Sequence, residues 1–254
     1  MGNLPQRHKA ILDELAKEGY LKVTDLSKKF EVSAVTIRKD IKDMERRKLL
    51  FRNHGSITLY SSLINERHID EKEKVRVNEK IRIAEAANRL LERDDRIIIA
   101  SGTTVLAFAN KITFSDPITV ITSSMKISVS LCYKQNIEVI QLGGSMRKSS
   151  ASVIGPEAES MLESLSCSKL FLGIDGLDLD FGLTTSNIAE AHLNRAMIEA
   201  AQKVIILADS SKFGKKGFGK ICDFEQVHHI ITDKEAPAKS IQILREKGIE
   251  VTLV

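Results

Sequence analysis

The chain has 254 residues, 43% of them hydrophobic and 28% charged, with a formal net charge of +4, which is material for more than one buried core. No run of about eighteen apolar residues occurs, and the N-terminal MGNLPQRHKA lacks a secretory apolar stretch, so a soluble, cytoplasmic protein with no membrane partner is expected. Cys132, Cys167 and Cys222 form no CxxC pair and the six histidines form no metal-ligand motif, so neither a disulfide framework nor a metal or cofactor is expected.

The positive excess is confined to the first quarter. Residues 1–60 hold 13 Lys and Arg against 8 Asp and Glu, and the remainder holds 25 against 26. A basic module on a near-neutral body suits a polyanionic partner, although solvated surface lysines would give the same balance. Within it, RHKAILDELAKE places Ile11, Leu12 and Leu15 at helical spacing ahead of Gly19, a residue suited to close the helix. A second short helix follows, with Thr24 as its expected cap and Leu26 and Phe30 one turn apart on the buried side.

After the tight connection Glu31-Val32, Ser33 is placed to cap a third helix, AVTIRKDIKDMERRK. At about 100° per residue, Ile37, Ile41 and Met44 share the arc that faces the core, and Val35, Arg38, Lys39 and Lys42 share the opposite one. An apolar back and a basic front are what a recognition helix needs in the DNA major groove. A solvated amphipathic helix would show the same pattern. LLFRNHGSITLY then reads as a hairpin around Asn53-His54-Gly55-Ser56, a wing whose Arg52 and His54 are expected at the DNA backbone or minor groove. The expected DNA-contacting set is Ser33, Val35, Thr36, Arg38, Lys39, Lys42, Arg52 and His54.

Taken with Arg7, Ile11 and Leu15, the run Ser33-Ala34-Val35-Thr36-Ile37-Arg38-Lys39-Asp40-Ile41 resembles the N-terminal signature of the DeoR/GlpR family of bacterial transcriptional regulators. The resemblance implies a winged helix-turn-helix that binds double-stranded operator DNA, within a homo-oligomer. That family's wing usually reads Arg-x-His-Gly-Gly-Ala, and here it is Arg52-Asn53-His54-Gly55-Ser56-Ile57. Wing contacts at Ser56 and Ile57 are therefore not carried over.

Residues 61–80, SSLINERHIDEKEKVRVNEK, are dense in charge and poor in apolar periodicity, as an exposed linker would be. This puts the DNA-binding domain at residues 1–60 and a second domain at residues 81–254, opened by a helix with Ile81, Ala84, Leu90 and Leu91 on its apolar stripe. From residue 96, the strand-like runs RIIIA, ITVIT, IEVIQL, KLFLGI, KVIILA, HHIIT and EVTLV alternate with helical stretches such as VLAFANKI, SVSLCYK and NIAEAHLNRAMIEAAQ. The alternation predicts βαβ units and an α/β fold with a largely parallel sheet covered on both faces.

Polar residues collect where these runs end, and in an open parallel sheet the carboxyl ends of the strands form the ligand crevice. The candidate set is Ser101, Gly102, Thr103 and Thr104, then Ser123, Ser124, Gly143, Gly144 and Arg147, then Asp175, Thr184, Glu190, Asp209 and Lys212. Ser101 to Thr104 would offer N–H groups and hydroxyls at a helix N-terminus to an anion, with Gly102 permitting close approach. Lys212 would supply a charge-assisted bond to a phosphate, while Asp175 and Glu190 would accept hydroxyl protons from a polyol. Singly, Asp175 and Asp209 also read as turn residues, Glu190 as a helix-surface acid and Lys212 as a solvated lysine. Together they suit a phosphorylated sugar.

The stretches SGTT, LGGSMRKSSASVIGP, LFLGIDG, GLTTSNIAEAHLNRAMI and LADSSKFG resemble the same family over nearly the whole body. The resemblance implies a sensor domain of the ribose-5-phosphate isomerase-like α/β type, a phosphorylated sugar as effector, and repression of a carbohydrate operon relieved by that effector. Many members carry an Asp before the SGTT-like loop where this chain has Ala100, so no ligand contact is carried to that position. The alternative is a sugar-phosphate isomerase-like enzyme, which needs a carboxylate base and an acid or cation to stabilise the enediolate, roles that Glu190, Asp175 and Lys212 could fill. Those isomerases have a run of glycines in the substrate loop, where this chain reads Phe181-Gly182-Leu183-Thr184-Thr185. A regulator without catalysis is the expectation.

Overall fold

The computed structural model describes residues 5–18, 21–47, 49–53, 56–59 and 68–254. Gly19, His54 and residues 61–67 of the expected linker lie outside the described residues, as does the side chain of Arg52. The N-terminal module runs α1 (Gln6–Glu18), β1 (Leu21–Lys22), α2 (Val23–Lys29), α3 (Ala34–Arg46), β2 (Leu50–Asn53) and β3 (Ser56–Leu59). Ile11 and Leu15 of α1, Leu26 of α2 and Ile37, Ile41 and Met44 of α3 are buried together, as their spacing requires. β2 pairs antiparallel with β3, and β1 joins the far side of β3 through Leu21 opposite Ile57, completing a winged helix. That last pairing also moves a cap. Lys22 is held extended opposite Ser56, so α2 starts at Val23 with Lys22 as N-cap, and Thr24, the expected cap, lies inside the helix.

Ser33 caps α3, its hydroxyl accepting the Thr36 N–H at 3.1 Å. Glu31 takes the left-handed backbone, φ 51°, that the tight turn before it needs. One buried polar residue ties α1 to α3. Asp40 accepts Arg7 Nε at 2.6 Å and Nη2 at 3.0 Å and meets His8 Nε2 at 3.3 Å. Burial alone would raise its pKa, but the Arg7 and His8 interactions outweigh burial and hold the carboxyl below its ordinary range.

The body continues with α4 (Ile69–Glu73), α5 (Val77–Asn88), β4 (Arg96–Ile99), α6 (Thr103–Lys111), β5 (Ile118–Thr122), α7 (Met125–Leu131), β6 (Ile137–Gln141), β7 (Ser145–Arg147), β8 (Ser152–Ile154), α8 (Pro156–Glu163) and β9 (Cys167–Gly173). It ends with β10 (Gly176–Asp178), β11 (Gly182–Thr185), α9 (Ile188–Glu199), β12 (Ala201–Leu207), β13 (Gly219–Cys222), β14 (His229–Thr232), α10 (Ala238–Glu246) and β15 (Glu250–Leu253). The seven runs read as strands form one sheet in the order β15-β14-β12-β9-β4-β5-β6, and every pair in it is parallel.

Successive residues of these strands feed opposite cores. Ile98, Leu170, Leu172 and Ile206 pack with Leu193 and Met197 of α9, whereas Ile97, Ile99, Phe171 and Ile205 pack with α5 and α6. The antiparallel hairpin β7–β8 and the small sheet β10-β11-β13 are additions that the apolar pattern did not announce. From β4 the chain fills the sheet outward through β5 and β6, and from β9 it fills the other half. The strand order reverses between β4 and β9, which is where an open parallel sheet leaves a crevice.

Candidate functional site

The loops that leave β4 and β9 at this reversal border a cleft enclosing about 580 Å³, its open mouth included. Ser101, Gly102, Thr103 and Thr104 line it from the β4 side, Gly173, Ile174 and Asp175 from the β9 side, and Arg147, Ser149, Ser150, Thr185, Glu190 and Lys212 close it around. Ile69 and Lys72 of α4 complete the wall. Gly102 is the N-cap of α6 at φ 140°, a backbone that favours glycine, and it offers no side-chain oxygen to the N–H groups of the first turn.

Glu190 gathers three donors. Ser101 Oγ donates to its Oε1 at 3.0 Å, while Arg147 Nη1 and Thr185 Oγ1 each donate to Oε2 at 2.9 Å. Its place is set by Asn187, which caps α9 by accepting the Glu190 N–H at 3.1 Å. Asp175 accepts Lys72 Nζ at 2.8 Å and the Ser186 N–H at 3.1 Å, and the Thr185 hydroxyl lies 3.3 Å away. Burial alone would raise the Asp175 pKa. The Lys72 and Lys212 ammonium groups and the hydrogen bonds from Lys72 and Ser186 outweigh burial, so the carboxyl stays ionised well below neutrality. Lys212 lines the same cleft, and among the described residues its ammonium has no hydrogen bond or ion pair. Among the described residues that line the cleft, three cations stand against two carboxylates.

Of the ligand residues expected from sequence, Ser101, Gly102, Thr103, Thr104, Arg147, Asp175, Glu190 and Lys212 line this cleft. Ser123, Ser124, Gly143, Gly144, Thr184 and Asp209 do not, each for a structural reason. The Ser123 carbonyl accepts Val153 N–H at 2.9 Å, and Ser124 caps α7. Gly143 and Gly144 shape the turn into β7, where a Cβ on Gly144 would stand 2.7 Å from the Ile154 carbonyl oxygen. Thr184 is buried, donating to the Gly176 carbonyl at 3.1 Å and accepting Gly217 N–H at 2.7 Å. Asp209 is buried too, accepting Ser211 N–H at 3.0 Å and standing 3.5 Å from Arg76 Nε.

Sequence reasoning missed Lys72, Ser149, Ser150 and Thr185. The two serines sat inside a stretch already singled out, but Lys72 is one of many charged residues in a segment read as linker, and nothing local marks it.

On the N-terminal module, Val35 is 71% exposed, and Arg38, Lys39 and Lys42 stand beside it in solvent. Among the described residues these three cations have no ion pair. The Ser33 and Thr36 hydroxyls lie 2.9 Å apart at the start of the same helix, and the backbone of Arg52 lies in β2. Among the described residues no helix is long and apolar enough to cross a membrane, and no group of three or more His, Cys, Asp or Glu is placed to hold a metal ion.

Residues 7–62 match the DeoR-like helix-turn-helix domain and residues 75–234 match the DeoR C terminal sensor domain. The chain is 36% identical over 249 residues to the HTH-type transcriptional regulator YulB of Bacillus subtilis strain 168, covering 98% of this chain and 96% of that one. It is 30% identical over 251 residues to the glycerol-3-phosphate regulon repressor of Escherichia coli strain K12, covering 98% of each. Among solved structures, ribose 5-phosphate isomerase A of Neisseria gonorrhoeae aligns with a TM-score of 0.40 at 18% identity, covering 57% of this chain and 55% of that one.

Proposed function

The chain belongs to the DeoR family of DNA-binding transcriptional regulators, and from that premise we propose that it represses a carbohydrate-metabolism operon and leaves its operator when a phosphorylated sugar fills the cleft. The observation that carries this is the division of the cleft into two chemistries. Lys212, whose ammonium has no hydrogen bond or ion pair among the described residues, and the uncapped first turn of α6 suit a phosphate, and the carboxylates of Asp175 and Glu190 suit the hydroxyls of a polyol.

Operator contact falls to the front of α3, with Arg38 placed to reach base edges and Lys39 and Lys42 to neutralise phosphates. Repeated half-sites would be met by paired modules of a homo-oligomer, in the cytoplasm where the DNA is. A coupling of about 1 to 3 kcal/mol between the two sites would change operator affinity roughly 5- to 150-fold.

A thermal-shift screen of phosphorylated sugars, followed by operator binding with and without each hit, tests the reading. A stabilising sugar phosphate that also releases DNA is expected. Stabilisation by unphosphorylated sugars alone would overturn it. Isomerase chemistry is separated by an aldose–ketose turnover assay on the same protein. The chain reads Phe181-Gly182-Leu183-Thr184-Thr185 where those isomerases carry a run of glycines, so no turnover is expected.

A further inference from the structure

The five residues of α4 stand in the chain between the DNA-binding module and α5, and two of them, Ile69 and Lys72, line the cleft. Ile69 is the only one of the five that is buried, and the other attachments are polar. The Ile69 N–H donates to the Ser149 carbonyl at 2.7 Å, and Lys126 reaches Asp70 at 2.6 Å and Glu73 at 2.5 Å. Lys72 binds Asp175, and Lys80 Nζ donates to the carbonyls of Lys72 and Val75 at 2.5 and 2.6 Å. Contacts of this kind exchange readily for a ligand or for water.

The next helix is held differently, with Ile83, Ala84, Ala86 and Ala87 buried. Arg76 marks the boundary between them. Its backbone is left-handed, φ 52°, and its guanidinium donates to Ser210 Oγ at 2.7 Å and to Glu235, with Asp209 and Asp233 at 3.5 and 3.7 Å. A displacement that begins at Lys72 would therefore be resisted on the α5 side.

Charge sets the direction of such a displacement. Among the described residues that line the cleft, Lys72 pairs with Asp175 and Arg147 with Glu190, and Lys212 is the additional cation. A phosphate dianion beside Lys212 carries more charge than one lysine neutralises, and the hydroxyls of a polyol offer Asp175 replacement donors. We propose that Lys72 is a second phosphate-binding residue, leaving Asp175 for the phosphate of the ligand, and that α4 moves with it to report occupancy to the DNA-binding module. This rests on the reading of the cleft as a phosphorylated-sugar site.

The chain contains no tryptophan, so Val75→Trp, at a half-exposed position just beyond α4, makes fluorescence a local probe in the full-length protein. Inorganic phosphate is titrated into this parent with fluorescence and calorimetry in parallel. A saturable change in both is expected. Lys72→Gln should weaken phosphate binding about tenfold or more and abolish the fluorescence change, while Lys72→Arg keeps both. Asp175→Asn, which frees Lys72 without removing it, should move the unliganded fluorescence toward the liganded value, and thermal melts establish that each variant is folded. Phosphate binding of equal strength to the parent and Lys72→Gln, together with its loss in Lys212→Ala, would overturn the proposal and leave the cleft reading standing. If the parent binds an unphosphorylated sugar but no phosphate, both fall together.

Discussion

On the front of α3, Arg38, Lys39 and Lys42 stand in solvent with no ion pair among the described residues, whereas in the cleft Lys72 and Arg147 are engaged by Asp175 and Glu190 at 2.8 and 2.9 Å. The proposed partners account for the difference. DNA is a rigid polyanion that releases its own counterions on binding, so unpaired cations on a firm apolar backing meet it with no internal bond to break. A small ligand has to be oriented, and a cleft of several cations without carboxylates would repel itself. Pairs hold the groups in place, and on the proposed reading a ligand would bind by exchanging into them. Firmness is distributed in the same way, since α3 is fixed by buried Ile37, Ile41 and Met44, and α4 mostly by hydrogen bonds and ion pairs.

The comparison breaks most visibly through the backing of α3. Ile41→Ala, at a fully buried site, should cost about 2 to 5 kcal/mol of stability in the N-terminal module, read by denaturant unfolding, with effector affinity unchanged. A parallel loss of effector binding would show that the two regions do not act separately. Next in size is Lys212→Ala. Loss of a bond to a charged group, worth about 1.5 to 3 kcal/mol, should weaken effector binding roughly 10- to 150-fold while the unliganded protein shifts operator DNA at the wild-type concentration.

Arg38→Ala should cost about 1 to 3 kcal/mol of specific operator binding with the melting temperature unchanged, and an equal loss of stability would make Arg38 structural. Lys42→Ala should weaken binding evenly across sequences and lower the slope of log affinity against log salt by about 1. The most local effect concerns Lys80, beneath α4. Burial pushes its ammonium from 10.5 to about 8, partly offset by Asp209. Between those values the unfolded chain holds a proton that the folded protein has released, so this group adds stability as pH rises through the window. The neutral amine still donates to the Lys72 and Val75 carbonyls. The melting temperature of wild type should therefore gain more between pH 8 and pH 10 than that of Lys80→Met.

Much of this organisation is determined by the sequence itself. Burial of a strand on two faces makes a short unbroken apolar run, and burial of one helix face repeats apolar residues every three or four positions, so the seven parallel strands and both sides of α3 are visible locally. The polar loops after the strands were visible for the same reason, because they interrupt those runs, and eight of the residues expected at or beyond the strand ends meet in one cleft. Only the tertiary structure decided which of the rest face it. Thr184 and Thr185 are neighbours of identical composition in β11, yet alternation along the strand turns Thr184 to Gly176 and Gly217 and turns Thr185 to Glu190 and Asp175. Lys72 is the extreme case, since its partner Asp175 is 103 positions away and the segment around it carries charge at nearly every residue. A solvated lysine and a cleft lysine have the same sequence signature, and what separates them is a long-range contact that no local period records.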